Sequence, residues 1–144
     1  ISAYKAQRIP IWGLTVQNEP MVRPSWEGCL MSSEDEAGFL GDHLGPAMRS
    51  AHPEVKILVH DDQKHLLPVY VEASLLHPKS AEYVDGAAFH WYSGDHFDVV
   101  DSMHRLHPEL LLLASEATYE KRMWEEGRDK AYPDWRFGEG GAPP

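Results

Sequence analysis

Residues 55–63 read VKILVHDDQ and carry the clearest structural signal in the chain. Their body, residues 55–60, is mostly apolar and β-branched, which predicts a buried strand. The polar residues Asp61, Asp62 and Gln63 follow at its carboxyl end. Parallel α/β folds place their active sites at this end of the strands. The segment therefore predicts one strand of a parallel sheet, with a functional site at its carboxyl edge.

Three other segments share this arrangement of an apolar body followed by polar residues. They are residues 11–16, 85–92 and 110–116. Between these strands, apolar residues recur at helical spacing over residues 32–51, 67–76 and 99–106, which predicts helices there. Alternation of helices with continuously apolar strands is typical of a parallel sheet covered by helices. The predicted fold class is therefore α/β.

The bulk composition limits the classes of protein that the chain can belong to. Its 144 residues are 42% hydrophobic, which predicts one ordinary globular domain. A formal charge of −10 disfavours a nucleic-acid partner, because phosphates would be repelled. Cys29 is the only cysteine, so no internal disulfide can form.

Two glutamates stand at strand ends and suggest chemistry. Glu19 follows the first strand and Glu116 ends the fourth, so a curled parallel sheet would direct both carboxyl groups into one mouth. Cleavage of a glycosidic bond needs one protonated and one ionised carboxyl group, about 5–5.5 Å apart where configuration is retained. Trp91 and Tyr92 end the third strand and offer flat faces for stacking against a sugar.

The same residues also fit structural and metal-binding roles. Strand-end glutamates are commonly solvated or salt-bridged. His60, Asp61, Asp62 and His90 contain the donor atoms of a metal site, but their spacing matches no familiar ligand motif. The chain has no Gly-x-Ser-x-Gly elbow and no glycine-rich phosphate loop. We therefore expect no metal and no other cofactor.

A set of ordered motifs resembles a known family. The motifs are WGLTVQNEP at 12–20, LGP at 44–46, LVHDDQ at 58–63, LLP at 66–68, HWY at 90–92 and ASEA at 114–117. Together they resemble glycoside hydrolase family 30, the glucosylceramidase (acid β-glucosidase, glucocerebrosidase) family. The resemblance covers about residues 9–124.

The resemblance implies a partial (β/α)8 TIM barrel that contains strands four to seven of the family barrel. It implies that Glu19 is the acid/base and that Glu116 is the nucleophile. Asn18 would bind the sugar 2-hydroxyl group, and the side chains that would line or support the sugar pocket are Asp62, His90, Trp91 and Tyr92. The implied activity is retaining hydrolysis of a β-glucoside, with glucosylceramide as the expected substrate.

The resemblance also carries expectations about partners and extent. They are a glycolipid or β-glucoside substrate, peripheral contact with a membrane surface through the lipid, an activator protein, and a lysosomal or secreted location. We expect a partial catalytic barrel over residues 1–127 and a divergent, disordered tail over residues 128–144. The alternatives are a β-1,6-glucanase or xylan-acting relative, or a half-barrel fragment that is inactive by itself because the remaining strands are missing.

Overall fold

The computed structural model describes residues 1–23 and 27–118, and it contains five α-helices and four strands within them. In chain order these elements are α1 (Ser2–Ala6), β1 (Gly13–Thr15), α2 (Ser33–Phe39), α3 (Gly45–Ala51), β2 (Lys56–Gln63), α4 (Leu67–Leu76), β3 (Gly86–His90), α5 (Phe97–Leu106) and β4 (Leu111–Glu116). A π-helical turn, Leu40–Leu44, joins α2 to α3, and short 3₁₀ turns occupy Lys64–Leu66 and Ala81–Tyr83. The predicted disordered tail lies outside the described residues.

The four strands form one parallel sheet in the order β1-β2-β3-β4. Helices occupy each connection between neighbouring strands, as a (β/α)8 barrel requires. The predicted α/β fold with a parallel sheet is therefore confirmed. The sheet brings the carboxyl ends of all four strands to one edge, where the predicted site residues lie.

The core lies between the sheet and its helices, and β2 runs through its centre. Ile57 and Val59 are fully buried, and they belong to the same apolar cluster as Leu67 and Val71 of α4, which are also fully buried. Burying an aliphatic side chain of this size stabilises the fold by about 1.5–3 kcal/mol. The strand that predicted the fold therefore contributes Ile57 and Val59 to the core.

The predicted helix over residues 32–51 is interrupted. Ser32 caps α2, because its Oγ accepts a hydrogen bond from the Asp35 N–H at 3.1 Å. Pro46 has no N–H to donate to the preceding turn and its ring would clash with the carbonyl group of Asp42. The chain widens into the π-helical turn just before this proline, where the Gly45 N–H donates to the Leu40 carbonyl group.

Strand β2 continues beyond its predicted end at residue 60, through the polar residues to Gln63. Its pairing with β3 shifts register between His60 and Asp62, so Asp61 is the extra residue of a bulge. His60 and Asp61 have φ values of 78° and 58°, in the left-handed region. A similar shift in the β3–β4 pairing makes Ser115 an extra residue of β4. Both bulges lie next to the predicted site.

Candidate active site

His90 is the centre of the site, and the structure brings both predicted catalytic glutamates to it. Its side chain is fully buried at the end of β3. Its Nδ1 lies 3.4 Å from Glu19 Oε1 and its Nε2 lies 3.7 Å from Glu116 Oε2. Glu19 follows β1 and Glu116 ends β4, so the sheet collects residues that are far apart in sequence.

The two glutamates are close enough to act on one bond. One carboxylate oxygen of each lies within 4.8 Å of the other and of a His90 nitrogen. The Glu19 side chain is 18% exposed and that of Glu116 is 40% exposed, so both reach the mouth of the sheet. This separation suits a pair of carboxyl groups that hold a glycosidic bond between them. The same donor atoms would also suit a divalent cation, and the expectation that no metal binds stays a prediction.

The surroundings of His90 favour its charged form. Burial by itself lowers the pKa of His90, but the hydrogen bond and charge of Asp61 and the nearby Glu116 and Glu19 carboxylates outweigh it and raise the pKa above its usual range. The His90 Nε2 to Asp61 Oδ1 distance is 3.2 Å. These neighbouring carboxylates therefore favour the imidazolium form of His90.

Asp61 is a site residue that sequence reasoning did not select. Its Oδ2 accepts a hydrogen bond from Thr15 Oγ1 and its Oδ1 accepts one from Ser115 Oγ, both at 2.6 Å. Burial raises the pKa of Asp61, but the hydrogen bonds from His90, Ser115 and Thr15 prevail and lower it. Asp61 therefore remains ionised and ties the ends of β1, β3 and β4 together. In the sequence it appeared among the polar residues at the end of the strand and in the metal-site alternative, but no role in sugar binding was predicted for it.

Asp62 was predicted to line or support the sugar pocket, and the structure places it beneath the loop that carries Glu19. It is fully buried. Its Oδ2 accepts from the Met21 N–H at 3.1 Å and its Oδ1 accepts from the Gln63 N–H at 2.7 Å. The Glu19 N–H in turn donates to the Asp61 carbonyl group at 3.0 Å. The Asp62 carboxylate thus supports the loop by binding the Met21 N–H.

Tyr92, Trp91 and Asn18 complete the predicted set. The Tyr92 hydroxyl group donates to Glu116 Oε1 at 2.9 Å and accepts from the Thr118 N–H at 2.9 Å. The Trp91 ring is half-buried and meets the Tyr92 ring nearly edge-on, with 6.3 Å between ring centroids. Asn18 is exposed beside Glu19. All of these lie at the carboxyl edge of the sheet.

The parallel sheet with two opposed glutamates at its carboxyl edge defines the catalytic face of a barrel glycosidase. Residues 1–139 match the glycosyl hydrolase family 30 TIM-barrel domain, and the chain belongs to this family. The resemblance inferred from the motifs and the partial barrel are both confirmed. The roles predicted for individual side chains stay predictions.

Three relatives illustrate the range of the family. The chain is 35% identical over 134 residues to the lysosomal acid glucosylceramidase of Mus musculus, covering 88% of this chain and 26% of that protein. It is 30% identical over 110 residues to an endo-1,6-β-D-glucanase of Neurospora crassa, covering 75% of this chain and 22% of that protein. The solved structure of the endo-β1,6-glucanase BT3312 superposes with a TM-score of 0.77 at 30% identity, covering 91% of this chain and 29% of that one.

The chain spans about a quarter of the length of the curated relatives that it matches. Within residues 1–23 and 27–118, none of the helices has the length and apolar character needed to cross a bilayer.

Proposed function

We propose that the whole protein carrying this sequence is a retaining β-glucosidase that hydrolyses glucosylceramide to glucose and ceramide. The single observation that carries the proposal is the pair of glutamates, whose carboxylate oxygens approach within 4.8 Å around His90. Retaining enzymes need their two carboxyl groups about 5–5.5 Å apart, so that one can attack the sugar directly.

The proposed reaction has two displacements. Glu116 attacks the anomeric carbon while Glu19 donates its proton to the glycosidic oxygen, so the bond to the leaving alcohol breaks and a glycosyl–Glu116 ester forms. Glu19, now ionised, takes a proton from a water molecule that attacks the same carbon. Glucose leaves with its original configuration, and both carboxyl groups return to their starting states.

The contacts of each glutamate support this assignment of roles. Glu116 accepts a hydrogen bond from the Tyr92 hydroxyl group, which suits an ionised nucleophile with a fixed orientation. Glu19 is held by its backbone N–H to Asp61 and directly follows Asn18, which is proposed to bind the 2-hydroxyl group of the sugar. The His90 imidazole lies between them, with its Nδ1 3.4 Å from Glu19 Oε1 and its Nε2 3.7 Å from Glu116 Oε2.

The proposal also includes a substrate, partners and a location for the whole protein. Glucosylceramide and a lysosomal location are supported by the name of the mouse relative. A lipid substrate implies peripheral contact with a membrane surface, and an activator protein would assist its delivery. The similarity to two β-1,6-glucanases supports a second candidate, a glucanase with the same pair of glutamates.

The test of the mechanism uses the full-length protein and a fluorogenic β-glucoside. We expect Glu116→Gln to lower kcat by ~10³-fold or more, because the amide cannot form the covalent intermediate. Glu72→Gln, on the exposed face of α4, is the matched control and should leave kcat unchanged. NMR of the first-formed glucose should show the β anomer. The α anomer, or equal rates for wild type and Glu116→Gln, would contradict the proposal.

Glu19→Gln separates the acid from the nucleophile within the same experiment. Loss of general acid–base catalysis costs about 10²–10⁴-fold, so alkyl glucosides should suffer by this factor. Glycosides with a strongly acidic leaving group need no proton and should still form the intermediate.

A panel of glucosylceramide vesicles, β-1,6-glucan and xylan then distinguishes the substrate classes. Turnover of β-1,6-glucan without turnover of glucosylceramide would favour the second candidate.

A further inference from the structure

The bulge of β2 is held in a conformation that needs support. His60 and Asp61 are consecutive residues with positive φ, and neither is glycine. The left-handed region is unfavourable for a residue that has a side chain, because Cβ approaches the following carbonyl oxygen. Such conformations persist only where the surrounding contacts fix them. The contacts around His60 must therefore hold the bulge in place, and the proposed reaction does not otherwise involve them.

Glu36 supplies the main contact from outside the sheet. This residue of α2 is fully buried, and its Oε1 accepts a hydrogen bond from the His60 N–H at 2.7 Å. Because the register shifts at this point, the carboxyl group of Glu36 satisfies a backbone donor within the bulge. On the other side, His60 Nε2 lies 3.0 Å from the Gln63 carbonyl oxygen. Glu36 thus fixes the first residue of the bulge.

The bulge in turn places the groups that meet at the catalytic edge. The Asp61 carbonyl group accepts from the Glu19 N–H, and its carboxylate contacts His90 Nε2 and Ser115 Oγ. A shift of the bulge would therefore move the supports of Glu19 and of the residue before Glu116 together. Displacements of about 1 Å at a distance from the reacting atoms can cost 10²-fold in rate.

We propose that Glu36 is a positioning residue, which acts through the β2 bulge and Asp61 to hold Glu19 and His90 in their working arrangement. The inference rests on the proposed function for its effect on turnover, whereas its effect on His90 can be measured without any substrate. It assigns a role to a residue outside the mouth of the sheet.

The protonation state of Glu36 indicates which substitution conserves its role. The pKa of Glu36 is raised to about 8, mainly by burial, with the Asp61 and Asp62 charges adding to the rise and the hydrogen bond from the His60 N–H opposing it. Tyr70 of α4 also lies within electrostatic range of this group. At neutral pH Glu36 is therefore a neutral carboxyl group, and glutamine is its close isostere with an acceptor oxygen in the same place.

The experiment compares Glu36→Gln, Glu36→Met and the exposed control Glu34→Gln in the full-length protein. We expect Glu36→Gln and Glu34→Gln to keep kcat within about twofold of wild type at pH 7. Glu36→Met has similar volume but cannot accept the His60 hydrogen bond, and we expect kcat to fall tenfold or more with a smaller change in KM. In parallel, NMR titration of the His90 ring should give an unchanged pKa in Glu36→Gln and a lower pKa in Glu36→Met, as Asp61 withdraws.

The outcomes separate this inference from the proposed function. Inactive wild type with the expected His90 titrations would reject the β-glucosidase and keep the positioning role. Equal kcat and equal His90 pKa in Glu36→Gln and Glu36→Met would overturn the positioning role. Should Glu36→Met not fold, Glu36→Asp replaces it, because it keeps the carboxyl group but withdraws it by one methylene. Wild-type kcat and His90 pKa in Glu36→Asp would likewise overturn the inference.

Discussion

The Tyr92 hydroxyl group links Glu116 to the backbone of the following loop. It donates to the Glu116 carboxylate and accepts from the Thr118 N–H, both at 2.9 Å. A hydrogen bond to a charged group contributes about 1.5–3 kcal/mol. For the full-length protein we expect Tyr92→Phe to lower kcat on a fluorogenic β-glucoside by about 10–100-fold, with a smaller change in KM.

The matched control for this prediction is Tyr4→Phe, because Tyr4 is 56% exposed and lies on α1, away from the site. Steady-state kinetics of both variants measure the effect. Equal kcat values for Tyr92→Phe and Tyr4→Phe would mean that the hydroxyl group does not orient the nucleophile.

At the scale of single residues, the sequence predicted which edge of the sheet carries the site but not which of two adjacent aspartates faces it. Asp61 and Asp62 are neighbours in β2, and regular alternation would assign them to opposite faces of the sheet. The bulge between His60 and Asp62 alters that alternation, so Asp61 meets His90 while Asp62 binds the loop backbone. Glu36 was unpredictable for a related reason, since its contact with the His60 N–H exists only in the folded chain.

Among the elements, the contact between β3 and β4 depends on a glycine. Gly86 pairs with Leu111, and a Cβ atom at position 86 would lie 2.2 Å from the Leu111 carbonyl oxygen. Backbone cannot yield as a flexible side chain can, so β4 would have to move. We expect Gly86→Ala to lower the free energy of unfolding of the full-length protein by about 1–3 kcal/mol or more, as measured by urea denaturation.

Gly38 provides the matched control for this substitution. It lies in α2, and a Cβ atom there would have no other atom within 4 Å. We expect Gly38→Ala to stabilise the protein by up to about 1 kcal/mol, because alanine favours a helix over glycine. Destabilisation of equal size in both variants would show that the β3–β4 approach is not the cause.

The elements themselves were largely predictable because their apolar patterns are long. Helix α4 has the predicted bounds, Leu67–Leu76. The differences arise where tertiary contacts override the local pattern: β1 is only three residues long although the apolar run covers residues 11–16. Pro46 likewise divides a helix whose apolar spacing continues on both sides of it. Periodicity locates an element, whereas the hydrogen-bond partners determine where it begins and ends.

At the scale of the whole molecule, the strands of the described sheet differ in how far they are buried. Interior strand β2 has six consecutive buried residues, whereas no residue of β4 is fully buried and Leu111 is 42% exposed. Beside β4, an apolar cavity is lined by Phe97, Val100, Asp101, His104, Leu110, Leu111 and Leu112. Among the described residues β1 and β4 each pair on one side only, so both leave backbone donors and acceptors open.

These edges predict how the 144-residue chain behaves by itself. Open strand edges and exposed apolar surface favour self-association, and a closed barrel removes both. We expect the isolated chain to form oligomers or aggregates in size-exclusion chromatography with light scattering, more at its pI near 5.2 than at pH 8, where its negative charge keeps copies apart. We also expect no turnover of a β-glucoside, because the 144 residues span only about a quarter of the length of the curated relatives. The full-length protein is the control, and an isolated chain that is monomeric, unfolds cooperatively and hydrolyses the substrate would show that four strands suffice for the activity.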